Sequence, residues 1–289
     1  MKPKWFIETT IFEKNIQGLL DEITRQGMEY KTAEGAEERW GCPTYLDLFK
    51  KDDCVIYRGS LEFGGQVMRE APWIPGVYRD LPKYDCTNYY PKFGDDLLNE
   101  EYIMIPWGDL RRRKDWLFEK VGNNGAVFIR PNAGNKIFSG KVVYEELWDK
   151  DLELLGFYDV PDDELCVVCY PMNVAEEMRW VVVDNEIITG SMYSVSQKLL
   201  EEPVTLTRES PAWRNAQRML DGVEYSPERV WTFDTCFTKG MDPMGEYYVL
   251  EVGCFSCAGL YGADPEIVVR EVSRVALEEW KECHDLVKS

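Results

Sequence analysis

The residues with the clearest chemical potential are an arginine, a lysine and the Gly/Asn-rich stretch that joins them. Residues 129–140 read Ile-Arg-Pro-Asn-Ala-Gly-Asn-Lys-Ile-Phe-Ser-Gly, so Arg130 ends an apolar strand and Lys136 follows in a turn. Long cations neutralise a polyphosphate, and glycine lets the backbone approach the anion closely. The pattern therefore predicts a phosphate site at Arg130 and Lys136. A plain hairpin loop with a surface Arg and Lys is the alternative.

Two further groups of charged residues lie in apolar strands. Glu177 and Arg179 are two positions apart, so their side chains point to the same face of a strand. Asp234 and Glu251 each interrupt an apolar run, where an unpaired carboxylate would be costly to bury. Two carboxylates on adjacent strands suit Mg²⁺ bound together with nucleotide phosphates. The alternatives are a cross-strand salt bridge for the first group and strand ends open to water for the second.

Residues that other chemistries need are missing. The only histidine is His284, close to the end of the sequence, which argues against Ser-His-Asp catalysis, Cys-His catalysis and His-rich metal sites. Neither GxxxxGK[ST] nor GxGxxG occurs. Cys166 and Cys169 fall in a predicted strand, where they face opposite sides, and Cys254 and Cys257 fall in a predicted turn. We interpret all four as packed small residues, not as zinc ligands.

Composition narrows the class of protein. The 289 residues include 33 basic and 52 acidic side chains, a net charge of −19, so a nucleic-acid partner is not expected. No apolar run is long enough to predict a membrane span, and residues 1–8 lack the apolar stretch of a secretory signal. Nine cysteines without such a signal predict reduced thiols in a cytoplasmic protein.

The order of the predicted elements indicates an α+β fold that begins with an α/β unit. Residues 5–12 and 53–60 have the character of strands, and residues 13–27 between them carry apolar side chains at helical spacing. This strand–helix–strand order predicts an open sheet at the N-terminus. Residues 70–100 are rich in Pro, Gly, Tyr and Asp and are predicted to be irregular.

Beyond residue 100 the pattern is rich in strands. A helix is predicted over residues 109–121, and the strand after it, 126–130, ends at Arg130. Five further strands are predicted over residues 165–170, 178–183, 186–193, 230–235 and 247–252. Asp184-Asn185 predicts a hairpin turn between two of them. Helices with Pro near their start are predicted over residues 211–221 and 265–287.

Taken in chain order, these pieces resemble the ATP-grasp superfamily. The likeness is to its small phage and bacterial branch, in which an Arg replaces the usual phosphate-binding Lys. Residues 128–140, with Arg130 and Lys136, look like the phosphate-loop signature of that branch, and residues 177–183 look like its Glu-x-Arg strand. Asp234 and residues 250–261 look like the metal-binding end of the fold. The resemblance spans residues 110–262, with a looser likeness at 55–60.

The resemblance implies a role for each matching residue. Arg130 and Lys136 would bind the ATP phosphates, with residues 133–140 as a flexible lid, and Arg179 would face the transferred phosphoryl group. These three are the implied catalytic residues. Val167, Cys169 and Tyr170 would bind the adenine. Glu164 or Glu177 would contact the polar edges of the nucleoside. Asp234 and Glu251 would bind Mg²⁺.

The resemblance also implies an ATP-grasp fold with a pre-ATP-grasp-like N-terminal domain. The two domains would be residues 1–110 and 111–289. The second would divide into a central lid subdomain, residues 120–190, and a C-terminal metal-binding subdomain, residues 191–289.

This sequence departs from the family at one metal position. ATP-grasp enzymes commonly carry Glu-x-Asn there, with both polar groups serving metal, whereas the triplet here is Glu251-Val-Gly253. Glycine offers no ligand. A second Mg²⁺ would therefore be held more weakly, be held by another residue, or be absent.

The implied activity is that of a Mg·ATP-dependent ligase. ATP would phosphorylate a carboxylate, and an amine (or thiol) would attack the acyl phosphate to form a new bond. The implied partners are a small-molecule or peptide carboxylate and an amine acceptor. Two alternatives remain open. One is a nucleotide-binding sensor or inhibitor that has lost ligation, and the other is an acidic protein that binds a basic partner without ATP.

Overall fold

A computed structural model describes residues 1–35, 44–156, 159–239 and 245–286 of the chain. Within these residues the strands form two four-stranded sheets and one five-stranded sheet, with helices packed on them. The predicted combination of an α/β N-terminal part with an α+β remainder is confirmed.

The N-terminal sheet is parallel and has the order β2-β1-β3-β4. Its strands and helices are β1 (Lys4–Glu8), α1 (Glu13–Arg25), β2 (Glu29–Ala33), β3 (Cys54–Arg58), α2 (Leu61–Glu70) and β4 (Ile74–Gly76). Every residue of β3 is buried, as expected for a parallel strand covered on both faces. The Ser60 hydroxyl caps α2 by accepting from the amide of Phe63. The predicted open sheet with a strand–helix–strand order is therefore confirmed, but α1 leads into β2, which the sequence did not predict, before the chain reaches β3.

A helix that the sequence did not predict follows this sheet. Helix α3 (Cys86–Phe93) lies inside the segment predicted to be irregular, which is a correction. Pro91 within the helix and the polar residues around it hide the helical spacing. Burial of Tyr89, Tyr90 and Phe93 in the core offsets that weak propensity.

The middle sheet is antiparallel and has the order β5-β8-β6-β7. Its elements are β5 (Tyr102–Pro106), α4 (Trp107–Arg112), α5 (Lys114–Val121), β6 (Ala126–Pro131), β7 (Lys141–Tyr144), α6 (Trp148–Gly156) and β8 (Leu165–Cys169). The single helix predicted over 109–121 is wrong, because Arg113 leaves the helical region at φ −116°, ψ 32°. Its amide bonds to the carbonyl of Leu110 in a tight closing turn. Apolar spacing continues across that break, so periodicity does not reveal it.

The C-terminal sheet is antiparallel and has the order β11-β10-β9-β12-β13. Its elements are β9 (Val174–Val183), β10 (Glu186–Val195), β11 (Lys198–Thr205), α7 (Pro211–Asp221), β12 (Val230–Thr238), β13 (Glu246–Cys254) and α8 (Pro265–Leu286). Asp184 and Asn185 have φ 49° and 66°, the left-handed values of a two-residue hairpin turn, which confirms that prediction. Residue 287, where the last helix was predicted to end, lies outside the described residues.

Helix α8 connects the first sheet to the third. Its buried valines, among them Val268 and Val272, share one core with Trp5 and Ile56 of the N-terminal sheet and Val181 of β9. None of the helices in the described ranges has the length and apolar character that crossing a membrane requires.

The chain passes from one sheet to the next at positions that differ from the predicted domain boundaries. β5 belongs to the middle sheet although it precedes residue 110. β9 belongs to the C-terminal sheet although it precedes residue 190. By sheet membership the changes fall between Gly76 and Tyr102 and between Cys169 and Val174. The division into domains stays a prediction.

Candidate active site

One row of charged side chains crosses the C-terminal sheet. Arg179 on β9 is directly opposite Asp234 on β12, and Asp234 is directly opposite Glu251 on β13. The Arg179 guanidinium donates two hydrogen bonds to Asp234, Nε to Oδ1 at 2.8 Å and Nη2 to Oδ2 at 2.6 Å. The two carboxylates predicted to lie on adjacent strands are therefore neighbours on one face of the sheet.

The predicted phosphate residues reach this row from the middle sheet. Arg130 at the end of β6 lies with its Nη2 3.2 Å from Glu251 Oε1, and Lys136 in the following loop places Nζ 2.9 Å from the same oxygen. Burial alone would raise the pKa of Glu251, but the charges of Lys136 and Arg130 outweigh it and hold the pKa at about 2. A carboxylate that is ionised at neutral pH is thus held between two cations from the opposite sheet.

Two cavities flank this contact between the sheets. One, of about 280 Å³, is lined by Phe128, Phe138 and Leu250 together with polar groups of the loop and of β9. The other, of about 190 Å³, is lined by Leu61, Tyr84 and the segment that follows β13. Both are lined by the same four charged side chains, namely Lys136, Arg179, Asp234 and Glu251. The charged row therefore separates two spaces that two different molecules could fill.

Two larger open grooves, about 570 and 630 Å³, contain none of the predicted site residues. Their charged side chains pair with one another, as in the Arg274–Asp184 and Arg111–Asp162 contacts. We therefore place the candidate site between the two sheets.

Glu177 has a different partner from the one its spacing suggested. It accepts hydrogen bonds from the hydroxyls of Tyr193 and Ser194, each at 2.9 Å. Tyr193 in turn stacks on Tyr261 with ring centroids 4.3 Å apart. The guanidinium of Arg179 lies 5.1 Å from the Tyr261 ring and 5.7 Å from the Tyr193 ring. Glu177 thus positions an aromatic pair against Arg179.

The predicted adenine contacts are spread over the end of an inner strand. Val167 and Cys169 are fully buried between β5 and β6. Tyr170 lies beyond the last ladder pair and is partly exposed. Glu164 accepts a hydrogen bond from the backbone of Ala133, so its carboxylate lies at the base of the predicted lid loop. Tyr170 and Glu164 both lie just outside β8, and none of the four residues lines either of the two cavities described above.

Gly253, at the position where the resemblance implies a metal ligand, is packed closely against the neighbouring strand. Gly253 is directly opposite Thr232 on β12, and a Cβ at position 253 would lie 2.9 Å from Thr232 Oγ1. The same hydroxyl donates to the carbonyl of Gly253 at 3.0 Å. A side chain at 253 would therefore have to displace Thr232.

Several residues that line the cavities were not singled out by the sequence. Tyr84 follows β4 in a segment predicted to be irregular, and Leu61 begins α2. Neither sits in a charged motif, and long-range packing places them there: the 3₁₀ turn Leu81–Tyr84 contacts β13, and α2 contacts the turn Phe255–Cys257 that follows β13. An aromatic residue within a Pro- and Asp-rich segment was the one available signal.

Tyr84 is held by a buried carboxylate. Its hydroxyl donates to Glu228 Oε2 at 2.5 Å. Burial raises the pKa of Glu228 from 4.5 to about 7, and the hydrogen bonds from Tyr84 and the Asp80 backbone only partly oppose this. Because the folded-state pKa is raised, the stability linked to Glu228 is complete below pH 4.5 and is lost as the pH rises through about 7.

We expect Glu228→Gln to be more stable than the native protein at pH 8 by about 1–3 kcal/mol, because it removes a buried charge and keeps an acceptor for Tyr84. The difference should vanish near pH 4. Urea unfolding of both proteins at the two pH values measures it, and the exposed Glu224→Gln serves as control. An equal difference at both pH values would show that Glu228 titrates normally.

Comparison with known proteins defines the class and then the family. The chain folds like proteins of the ATP-grasp class, and residues 111–270 match the family described as "ATP-grasp domain, R2K clade family 2". This match covers more than half of the sequence, so the chain belongs to that family. The predicted superfamily is confirmed, whereas the phage branch with its Arg-for-Lys exchange stays a prediction. No curated protein matches the sequence.

Solved structures share the fold at low identity. D-cycloserine synthetase DcsG superposes with a TM-score of 0.62 at 11% identity, covering 95% of this chain and 99% of its own. N5-carboxyaminoimidazole synthetase from Staphylococcus aureus, complexed with ADP, has a TM-score of 0.57 at 11% identity, covering 94% and 77%. D-alanine–D-alanine ligase from Bacillus anthracis, complexed with ATP, has a TM-score of 0.56 at 13% identity, covering 98% and 99%. The ATP-grasp fold is thus confirmed.

Proposed function

We propose that this protein is a Mg·ATP-dependent ligase that activates a carboxylate as an acyl phosphate. The observation that carries the proposal is the convergence of Arg130 and Lys136 from one sheet on Arg179, Asp234 and Glu251 of the other. Structures of similar fold include ligases solved with ATP or ADP, and an ATP-grasp ligase, PsnB, complexed with a precursor peptide and AMPPNP. These likenesses support the class of reaction and leave the substrates open.

The two cavities suit two different ligands. We place the nucleotide in the cavity of about 280 Å³, whose Phe128, Phe138 and Leu250 offer apolar walls. The acceptor side would be the cavity of about 190 Å³ beside Tyr84 and Tyr261. Lys136 and Arg179 line both spaces, so a γ-phosphoryl group between them would be neutralised while it moves to the carboxylate.

The carboxylates fit a magnesium ion in their chemistry. Asp234 and Glu251 are the oxygen donors that Mg²⁺ prefers, and both line the two cavities. When bound there, the ion would neutralise charge on the phosphate oxygens. Both carboxylates already pair with the cationic side chains of Arg130, Lys136 and Arg179. When the ion binds, it would replace part of these pairings. The freed guanidinium and ammonium groups would then hold the phosphates.

Titration calorimetry of ATP, with and without Mg²⁺, tests the proposal. We expect the native protein to bind ATP, and Arg130→Ala to bind it about 10- to 100-fold more weakly, because a hydrogen bond to a charged group contributes about 1.5–3 kcal/mol. Arg270→Ala is the matched control, because Arg270 is an exposed arginine on α8 outside the cavities described between the sheets. If the folded native protein did not bind ATP at millimolar concentration, the proposal would be contradicted. The alternative of an acidic protein that binds a basic partner would then be favoured.

One observation favours a second function. Gly253 offers no side-chain ligand at the position where the family commonly has Asn, and a larger residue there would have to shift the Thr232 hydroxyl. A nucleotide-binding sensor or inhibitor that has lost ligation would tolerate this. Release of ADP and phosphate over many turnovers, with a panel of carboxylates and amines, separates the two: a ligase turns over, whereas a sensor binds ATP and releases neither.

A further inference from the structure

The turn after β13 presents two thiols to the acceptor-side cavity. Cys254 ends the strand, and Cys257 ends the short 3₁₀ turn Phe255–Cys257 that follows it. Both line the cavity of about 190 Å³ together with Lys136 and Glu251. Cys254 is 7% exposed and Cys257 is partly exposed, and both residues form part of the wall of that cavity.

Two arginines lie close to the turn that carries these thiols. Arg58 donates to the carbonyls of Phe255 and Ala258, which flank the turn, at 2.7 and 2.5 Å. Arg79 lies flat against α2, its guanidinium 3.2–3.3 Å from where a Cβ at Gly65 would be. Within the described ranges, neither arginine has a carboxylate at ion-pair distance. Positive charge favours the thiolate, which is the reactive form of cysteine.

The neighbouring glycine brings the second sulfur close to that charge. A Cβ at Gly64 would lie 3.3 Å from Cys257 Sγ and 3.4 Å from Arg79 Cδ. The same thiol donates to the carbonyl of Ser60 at 3.5 Å. Cys257 and Arg79 thus meet beside the first turn of α2.

We propose that Cys254 and Cys257 are a redox-active dithiol, and that a peroxide entering the cavity converts them to an intramolecular disulfide. The two cysteines bracket one turn of 3₁₀ geometry, which advances about 6 Å, within the Cα separation of roughly 4.4–6.8 Å that disulfides adopt. Cys166 and Cys169 have the same spacing but lie in β8, where their side chains point to opposite faces. The turn between Cys254 and Cys257, and not the Cys-x-x-Cys spacing alone, makes this pair reactive.

The oxidation balances with one hydrogen peroxide. The Cys254 thiolate attacks one peroxide oxygen, the O–O bond breaks, and the leaving hydroxide takes up a proton to become water. The sulfenic acid formed on Cys254 is then attacked by the Cys257 sulfur, and a second water leaves as the S–S bond forms. Burial disfavours a charged sulfur here, but the neighbouring Cys257 thiol and its backbone lower the pKa of Cys254.

Peptide mapping of the full chain after hydrogen peroxide, with free thiols alkylated, tests the proposal. We expect a peptide linked through Cys254 and Cys257, lighter by two hydrogens and restored by dithiothreitol, while Cys166 and Cys169 remain free. The Cys283→Ser variant removes the exposed cysteine on α8 and should leave the linkage unchanged.

Two outcomes decide the proposal. In Cys257→Ser the disulfide should be lost and Cys254 should react with dimedone as a persistent sulfenic acid. Oxidation confined to Cys283, with Cys254 and Cys257 both alkylated after peroxide, would overturn the inference. Because the readout is the thiol itself, this result does not depend on whether the protein proves to be a ligase.

Discussion

Glu251→Gln is expected to remove the Mg²⁺-dependent part of ATP affinity and to lower turnover at least about 100-fold, because a metal ion contributes several kcal/mol of charge stabilisation in such sites. The substitution keeps the shape of the side chain and deletes its charge. In the native protein that charge is held between Arg130 and Lys136, with the pKa of Glu251 at about 2. Neutralising it frees both cations, so ATP without Mg²⁺ should bind as tightly as before or more tightly.

The opposite signs of these two effects make the experiment specific. A misfolded variant would lose affinity with and without Mg²⁺, whereas loss of a metal ligand affects one titration alone. Glu246→Gln is the matched control, because Glu246 lies on the same strand and is exposed at its far end. If Glu251→Gln bound Mg·ATP as the native protein does, Glu251 would be a salt-bridge residue without a role toward metal.

Local sequence pattern predicted the strands that carry the site, because apolar alternation and charged interruptions are visible in single segments. It placed Asp234 and Glu251 on adjacent strands, and the register makes them direct neighbours. It did not reveal that Arg179 pairs with Asp234, because that pairing depends on which strand lies between β9 and β13. Glu177, two residues away on the same strand, was the locally visible partner.

Two of the elements that the sequence did not predict show where local pattern fails. β11 is an edge strand whose side chains are mostly exposed, and it contains Pro203 and two glutamates, so it lacks the alternation of a half-buried strand. α3 has a proline in its interior and is stabilised by tertiary burial of its aromatic residues. In α3 tertiary burial outweighs local propensity, and residues such as Tyr84 reach the cavity for the same reason. β11 instead depends on backbone pairing with β10 across a two-residue turn, which its side-chain pattern does not show.

Arg179→Ala is expected to lower the free energy of unfolding by about 3–5 kcal/mol, because it leaves a buried carboxylate without its partner. The Asp234 side chain is 5% exposed and that of Arg179 is 12% exposed. Burial would lower the pKa of Arg179, but the charge and hydrogen bonds of Asp234 raise it, so the arginine stays charged. Arg179→Lys should fall between the two proteins, because an ammonium group cannot form both hydrogen bonds.

A second pair in the same chain provides the control. Arg218 also contacts an aspartate, Asp96, through two nitrogens, at 3.3 and 2.8 Å, but its side chain is 57% exposed. Arg218→Ala should therefore cost only about 0–1 kcal/mol. Urea unfolding measures both variants, and equal losses would contradict the assignment of Arg179–Asp234 as a buried ion pair.

Removing both partners separates stability from function. Arg179→Met with Asp234→Leu deletes the two charges together, and replacing a buried ion pair by apolar side chains is often neutral or stabilising. We expect this double variant to unfold near the native urea concentration and to lose ATP turnover. In that case the pair is retained for the site and not for stability, because the variant removes both the Arg179 guanidinium beside the cavities and the Asp234 carboxylate proposed to bind Mg²⁺. A double variant that is stable and still turns over would show that neither Arg179 nor Asp234 is needed for turnover, and would place the phosphoryl contact on Arg130 and Lys136.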